Sequence, residues 1–103
     1  MSAQKFDQDK LRVDLVPPEA IAELAKVLAF GAAKYGDYNW LQGMKWSRVY
    51  AAAVRHLLAW YGGEVEDPES KLSHLSHALC NIVFLITYAN RGGGTDDRRG
   101  PGA

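Results

Sequence analysis

With a single cysteine, Cys80, the chain can form no intramolecular disulfide. It has no excess of either charge: 12 Lys and Arg residues are matched by 12 Asp and Glu. That balance removes any overall pull toward nucleic acid or an anionic membrane. The longest apolar stretch, Ala78 to Ala89, is interrupted by Asn81 and is too short to span a bilayer. Met1 to Lys10 is polar and charged and lacks the apolar segment of a secretory signal. No segment sustains a period-two alternation, so a sheet is not expected. No P-loop or dinucleotide fingerprint is present. The expectation is a cytoplasmic protein with neither membrane nor nucleic-acid partners.

What is present is enough apolar material for one small core. Of 103 residues, 48% are hydrophobic, and a domain of this size leaves much of that surface uncovered. Self-association into a homo-oligomer is the expected remedy. Residues 1–16 read as an N-terminal arm ending at Pro17-Pro18, where Pro18 suits a first helical turn. A helix is expected from Pro18 to Lys34, with Ile21, Leu24, Ala25, Leu28 and Ala32 on one stripe and Gly36 as its stop. Glu23 and Lys26 are i,i+3 neighbours on it. A second helix is expected from an N-cap at Ser47 to Trp60, stopped by Gly62-Gly63.

A third is expected to open at Asp67-Pro68 or Ser70. Its stripe Leu72, Leu75, Leu79, Ile82 and Ile86 has the spacing of a helix packed lengthwise on another. The fold class is therefore all-α: a small bundle of about three helices with an N-terminal arm, completed by oligomerisation. Residues 1–90 form one domain, and the Gly-rich stretch 91–103 is expected to be disordered.

Three groups of residues carry chemistry. Glu64, Glu66, Asp67 and Glu69 crowd the connection after the second helix, and hard divalent ions take carboxylate oxygens. Magnesium uses one or two of them and completes its shell with water and substrate phosphate. The plainer alternative makes Asp67 a helix N-cap and Glu69 a partner of the helix dipole. His74 and His77 share a helix face, and His56 meets that face if the second and third helices are antiparallel neighbours. Neutral imidazoles bind metal or take a proton from water; they also serve simply to satisfy buried hydrogen bonds. Lys34, Arg48 and Arg55 suit phosphate oxygens. Tyr35, Tyr38 or Trp40 can stack on a base, and Asn39 can pair with a purine edge, whereas Trp40 and Trp46 also read as core anchors.

The order of residues resembles a known family. The pattern runs Lys10-x-Arg12-x-Asp14-Leu-x-Pro17, then Gly31-Ala-x-Lys34-Tyr35-Gly36-x-x-Asn39-Trp40, then Arg55-His56-Leu. It continues as Gly63-Glu64-x-x-Asp67-x-Glu69-Ser70 and His74-x-x-His77-Ala-x-x-Asn81. It looks like the phage dATP/dGTP diphosphohydrolase N-terminal domain, itself regarded as similar to the MazG-like all-α pyrophosphohydrolases. The resemblance implies metal-dependent hydrolysis of purine deoxynucleoside triphosphates to monophosphate and pyrophosphate in phage nucleotide metabolism, in the host cytoplasm. It implies magnesium, or manganese, as cofactor and a nucleotide as the small-molecule partner.

On that reading Glu64, Asp67 and Glu69 hold the metal, and His74, His77 and His56 are the catalytic candidates. Lys34, Tyr35, Asn39, Trp40, Arg48, Arg55 and Asn81 bind substrate. The sequence departs from MazG-like enzymes in lacking an E-x-x-E pair on a helix, and it has Lys71 where the family pattern leads one to expect Gly. The missing pair keeps a non-catalytic nucleotide-binding or regulatory module as the alternative.

Overall fold

The computed structural model describes residues 9–100 of the chain, so the first half of the expected N-terminal arm, residues 1–8, lies outside the described residues. Three α-helices carry the fold: α1 (Pro18–Tyr35), α2 (Trp46–Tyr61) and α3 (His74–Arg91). Short 3-10 turns at Val13–Leu15 and Asn39–Gln42 precede α1 and α2. Among the described residues there is no strand, only two isolated bridges, Lys45 with Thr95 and Glu66 with Ser73. The all-α expectation holds.

α1 starts as read, with Pro18 in its first turn, where the missing N–H has no helical partner to lose. It stops at Gly36, whose φ of 98° and ψ of 156° suit glycine alone. The expected Lys26–Glu23 pair forms at 2.7 Å.

α2 and α3 make an antiparallel hairpin. The Trp46 indole N–H at the start of α2 donates to Gly93 O beyond the end of α3, while His56 near the end of α2 meets His74 at the start of α3. Buried Val49 and Ala53 on α2 and Ala78 on α3 are small enough for close approach of the two axes. α1 lies across α3 instead of along it: Glu23 accepts from Ser76 Oγ, and two turns further on Phe30 meets His77 edge-on.

Four expectations are corrected. α2 begins two residues early, with Lys45 at the N-cap in place of Ser47, because Ser47 is turned to Asp97. α3 opens at His74, not at Asp67 or Ser70, with Ser73 as a true N-cap accepting from Leu75 N. Residues 64–73 are held out of the helix by pairing across the loop, with His74 N bonded to Val65 O and Asp67 N to Leu72 O.

Three of the five residues of the expected stripe face outward, Leu75, Ile82 and Ile86 being 42, 44 and 56% exposed, while Leu79 is half-buried and Leu72 precedes α3. At 100° per residue that stripe is opposite the face carrying His74, Ser76, Ala78, Cys80 and Tyr88, which are buried. His74, Ser76, Ala78 and Cys80 fill the first half of that face with small or polar side chains and Tyr88 fills its end, leaving Leu75, Ile82 and Ile86 outside. Finally, the stretch after Arg91 is not disordered throughout. Thr95 exchanges backbone bonds with Met44 and Trp46, and Gly94 lies so close to Met44 O that an added Cβ would sit 2.5 Å from it. Residues 101–103 lie outside the described residues.

Candidate functional site

Because α1 and α2 both rest on α3 and diverge, they leave a cleft of about 850 Å³ between them, within the ~300–1,000 Å³ usual for small-molecule sites. α3 forms its floor with His77, Cys80, Asn81 and Phe84. The second 3-10 turn closes one end. It is fixed to α3 by Trp40, which stacks on Phe84 with ring centroids 4.5 Å apart. The fully buried Tyr88 completes the attachment, its hydroxyl donating to Trp40 O. Tyr38 and Asn39 stand exposed at this end, and the exposed Tyr35 ring lies 5.4 Å from Lys34 Nζ, so planar rings and an amide are available to a ligand. Loop 64–73 closes the other end with Asp67 and Glu69, beside His56 and His77.

The histidines form one cluster. His56 Nδ1 is 2.8 Å from His74 Nδ1, and the ring of His56 stacks on His77 at 4.6 Å and 9°. His74 Nε2 is 2.7 Å from Glu64 Oε1. A carboxylate only accepts, so that nitrogen carries a proton, and in the neutral ring His74 Nδ1 presents a lone pair to His56. Ser70 Oγ lies 2.6 Å from His77 Nε2 and accepts from Leu72 N.

Burial, reinforced by the neighbouring histidines, pushes the pKa of His56 below its ordinary value. Burial and His74 do the same to His77 against the opposing pull of Asp67 and Glu69. Both rings are thereby biased to the neutral form. Burial would raise Asp67, but the Ser70 and Glu69 amides and the two imidazoles His77 and His56 outweigh it and hold the carboxyl low. Cys80, on the floor, is pushed up to about 11 by burial, which leaves an inert thiol.

The structure brings most of the sequence-predicted residues to this one cleft. Lys34, Tyr35, Asn39, Trp40 and Asn81 line it, as do His56, His77, Asp67 and Glu69. His74 is buried behind His56. Arg48 and Arg55 are exposed and do not line it. Lys34 is the one cation in the lining among the described residues, and it is paired with Glu69.

The three carboxylates expected to hold metal do not converge. Glu64 is turned to His74, Glu69 to Lys34, and Asp67 caps its own loop through the amides of Glu69 and Ser70. This arrangement does not fit a magnesium ion held by those three acids. Sequence reasoning missed Ser70, Phe30 and Cys80 as parts of the site. Only Ser70 had a signal, its place directly after Glu69 in the motif.

A helical domain with one cleft, lined by aromatic and titratable side chains, defines a small all-α scaffold. The family model for the dATP/dGTP diphosphohydrolase N-terminal domain matches residues 1–98, and the chain belongs to that family. It is also similar to a protein of Salmonella phage PMBT28 described as dATP/dGTP diphosphohydrolase, at 39% identity over 99 residues. That match covers 96% of this chain and 34% of the phage protein, so the chain spans about a third of that relative's length. No solved structure matches it. No helix among the described residues is long and apolar enough to cross a membrane.

Proposed function

We propose that the cleft binds purine deoxynucleoside triphosphates, dATP and dGTP, and that the domain hydrolyses them to monophosphate and pyrophosphate in phage nucleotide metabolism within the host cytoplasm. The observation that carries this reading is the polarity of a single cleft, with Tyr38, Asn39 and Trp40 on the 3-10 turn side, His56, Asp67 and His77 on the loop side, and Lys34 between Tyr35 and Glu69. An aromatic ring and an amide suit the face and edge of a purine. A lysine suits phosphate, and Lys34 reaches it by exchanging Glu69 for the triphosphate. His77, neutral and facing the cleft, is placed to take a proton from an attacking water. Family membership and the name of the phage relative support the same reaction.

Magnesium, with manganese as the substitute, enters this reading on the triphosphate itself. Asp67, and Glu69 once released from Lys34, line the cleft and would be the carboxylates available to it. Bound there it would supply charge neutralisation and orient a phosphoryl oxygen. The outward stripe Leu75, Ile82 and Ile86 is assigned to a second copy of the chain, since a symmetric contact covers the same patch on both.

The test is incubation of the chain with each dNTP and magnesium, with products resolved by anion-exchange chromatography. Monophosphate and pyrophosphate from dATP and dGTP are expected, and turnover of no dNTP by folded protein overturns the reading. One observation favours a non-catalytic nucleotide-binding module instead: Glu64 and Glu69 are both engaged in pairs. That alternative predicts that dGTP raises the melting temperature without product, an effect lost in Lys34→Ala.

A further inference from the structure

We propose that His56, His74 and Asp67 form a binding site for a first-row transition ion of the zinc or cobalt(II) class, with Glu64 as the outer group that orients His74. This site stands on its own geometry and does not depend on the cleft being a nucleotide site.

One ligand atom from each of His56, Asp67 and His74 lies within 4.8 Å of the others, and the two Nδ1 atoms are 2.8 Å apart. Two nitrogens each ~2.0–2.1 Å from a tetrahedral zinc ion lie ~3.3 Å apart. The imidazoles are therefore already near a ligand edge, and Asp67 needs to approach by on the order of 1 Å to complete the set. Two imidazoles and one carboxylate suit zinc, cobalt, nickel or iron, whereas magnesium prefers oxygen donors throughout.

The proton arrangement agrees with this. Metal-ligating histidines characteristically donate their other ring N–H to a carboxylate, and His74 does so through Nε2 to Glu64 Oε1 at 2.7 Å. Its Nδ1 lone pair is thus directed at His56 and not at water, since the His74 side chain is almost wholly buried. In the metal-free chain the contact is satisfied when His56 Nδ1–H donates to His74 Nδ1; an ion takes the place of that one proton. Three protein ligands leave a position for water or substrate, as in catalytic zinc sites. His56 and Asp67 line the cleft while His74 lies behind them, so that open position faces the cleft. Glu64 thereby passes from expected ligand to orienting group, and Glu69 stands apart on Lys34.

The experiment is titration of chelator-stripped chain with Co²⁺, read by visible d–d absorption, and with Zn²⁺ by competition against a chromophoric chelator, each repeated in excess Mg²⁺. One ion per chain, undisplaced by magnesium, is expected. Asp67→Asn keeps an oxygen to cap Glu69 and Ser70 but loses the anionic ligand, and His56→Gln removes a nitrogen. Both are expected to abolish the cobalt bands while the helical circular dichroism stays intact. Glu64→Gln is expected to keep the stoichiometry and weaken affinity by about 10–100-fold, and Glu69→Gln to leave affinity unchanged.

Failure of folded wild type to bind either ion overturns the proposal, as does binding that survives both Asp67→Asn and His56→Gln. Loss of binding in Glu69→Gln equal to that in Asp67→Asn also overturns it and restores the carboxylate site. The two readings fail separately. Metal bound with no dNTP turned over sinks only the nucleotide reading, and turnover with magnesium by a chain that binds neither cobalt nor zinc sinks only the metal site.

Discussion

Lys71 occupies the left-handed region with φ of 63°, inside the loop that presents Asp67 to the cleft. Its amide donates to Asp67 O at 2.8 Å, so the turn is set by hydrogen bonding and an L-residue is strained to fit it. Left-handed backbone costs an L-residue ~1–2 kcal/mol, and glycine avoids this while losing ~0.5–1 kcal/mol in extra freedom of the unfolded chain. Lys71→Gly is therefore expected to stabilise the fold by about 0.5–1 kcal/mol, and Lys71→Val to destabilise it. Paired thermal melts check this, and a glycine variant no more stable than wild type argues against the turn as placed. The expectation of Gly at this position, drawn from the family pattern, thus has a backbone cause that spacing alone does not reveal.

At the scale of elements, the start of α2 depends on residues far along the chain. Its N-cap, Lys45, offers no side-chain hydrogen bond. The role passes to Asp97, which accepts from Ser47 N at 2.9 Å and Ser47 Oγ at 2.6 Å. Arg98 lies over the Trp46 ring 4.8 Å from its centroid, and Thr95 accepts from Trp46 N. A negative group at a helix N-terminus satisfies open amides and the helix dipole together. Asp97→Ala is expected to lower the melting temperature and to speed hydrogen exchange of the Ser47 amide, with the centre of α2 still protected. Asp97→Asn keeps the acceptor and is expected to fall between it and wild type. Unchanged exchange at Ser47 in Asp97→Ala excludes the capping role.

For the whole molecule, the question is where the apolar surface goes. α3 buries its small and polar face and exposes Leu75, Ile82 and Ile86, which is costly in water for a monomer and reasonable for a face shared by two copies. Ile82→Asp is expected to reduce the assembly to the 11.4 kDa chain, measured by sedimentation equilibrium, while wild type sediments as a multiple of it. Wild type sedimenting at the single-chain mass removes the assignment of this face to a second copy.

Local chemistry determined the helices. Pro18, Gly36 and the paired Gly62-Gly63 punctuate the chain, and the predicted α1 matches to within a residue because its start and stop act through neighbouring backbone atoms. Much of the candidate site's lining was legible too: His56, His77, Asp67, Lys34, Asn39 and Asn81 line one cleft. What periodicity could not say is which face of α3 points inward. An apolar stripe covered by a neighbouring copy and one covered within the chain have the same spacing, and only the placement of α1 and α2 distinguishes them.

Likewise Asp97 stands 50 residues from Ser47, and a Gly-rich segment carries no sign of a distant docking partner. The acidic loop shows the division most clearly. The sequence supplied Glu64, Asp67 and Glu69 at the spacing of metal ligands, and the tertiary structure directed them to His74, the loop amides and Lys34 respectively. Each carboxylate takes the nearest donor in space, which the sequence alone does not specify.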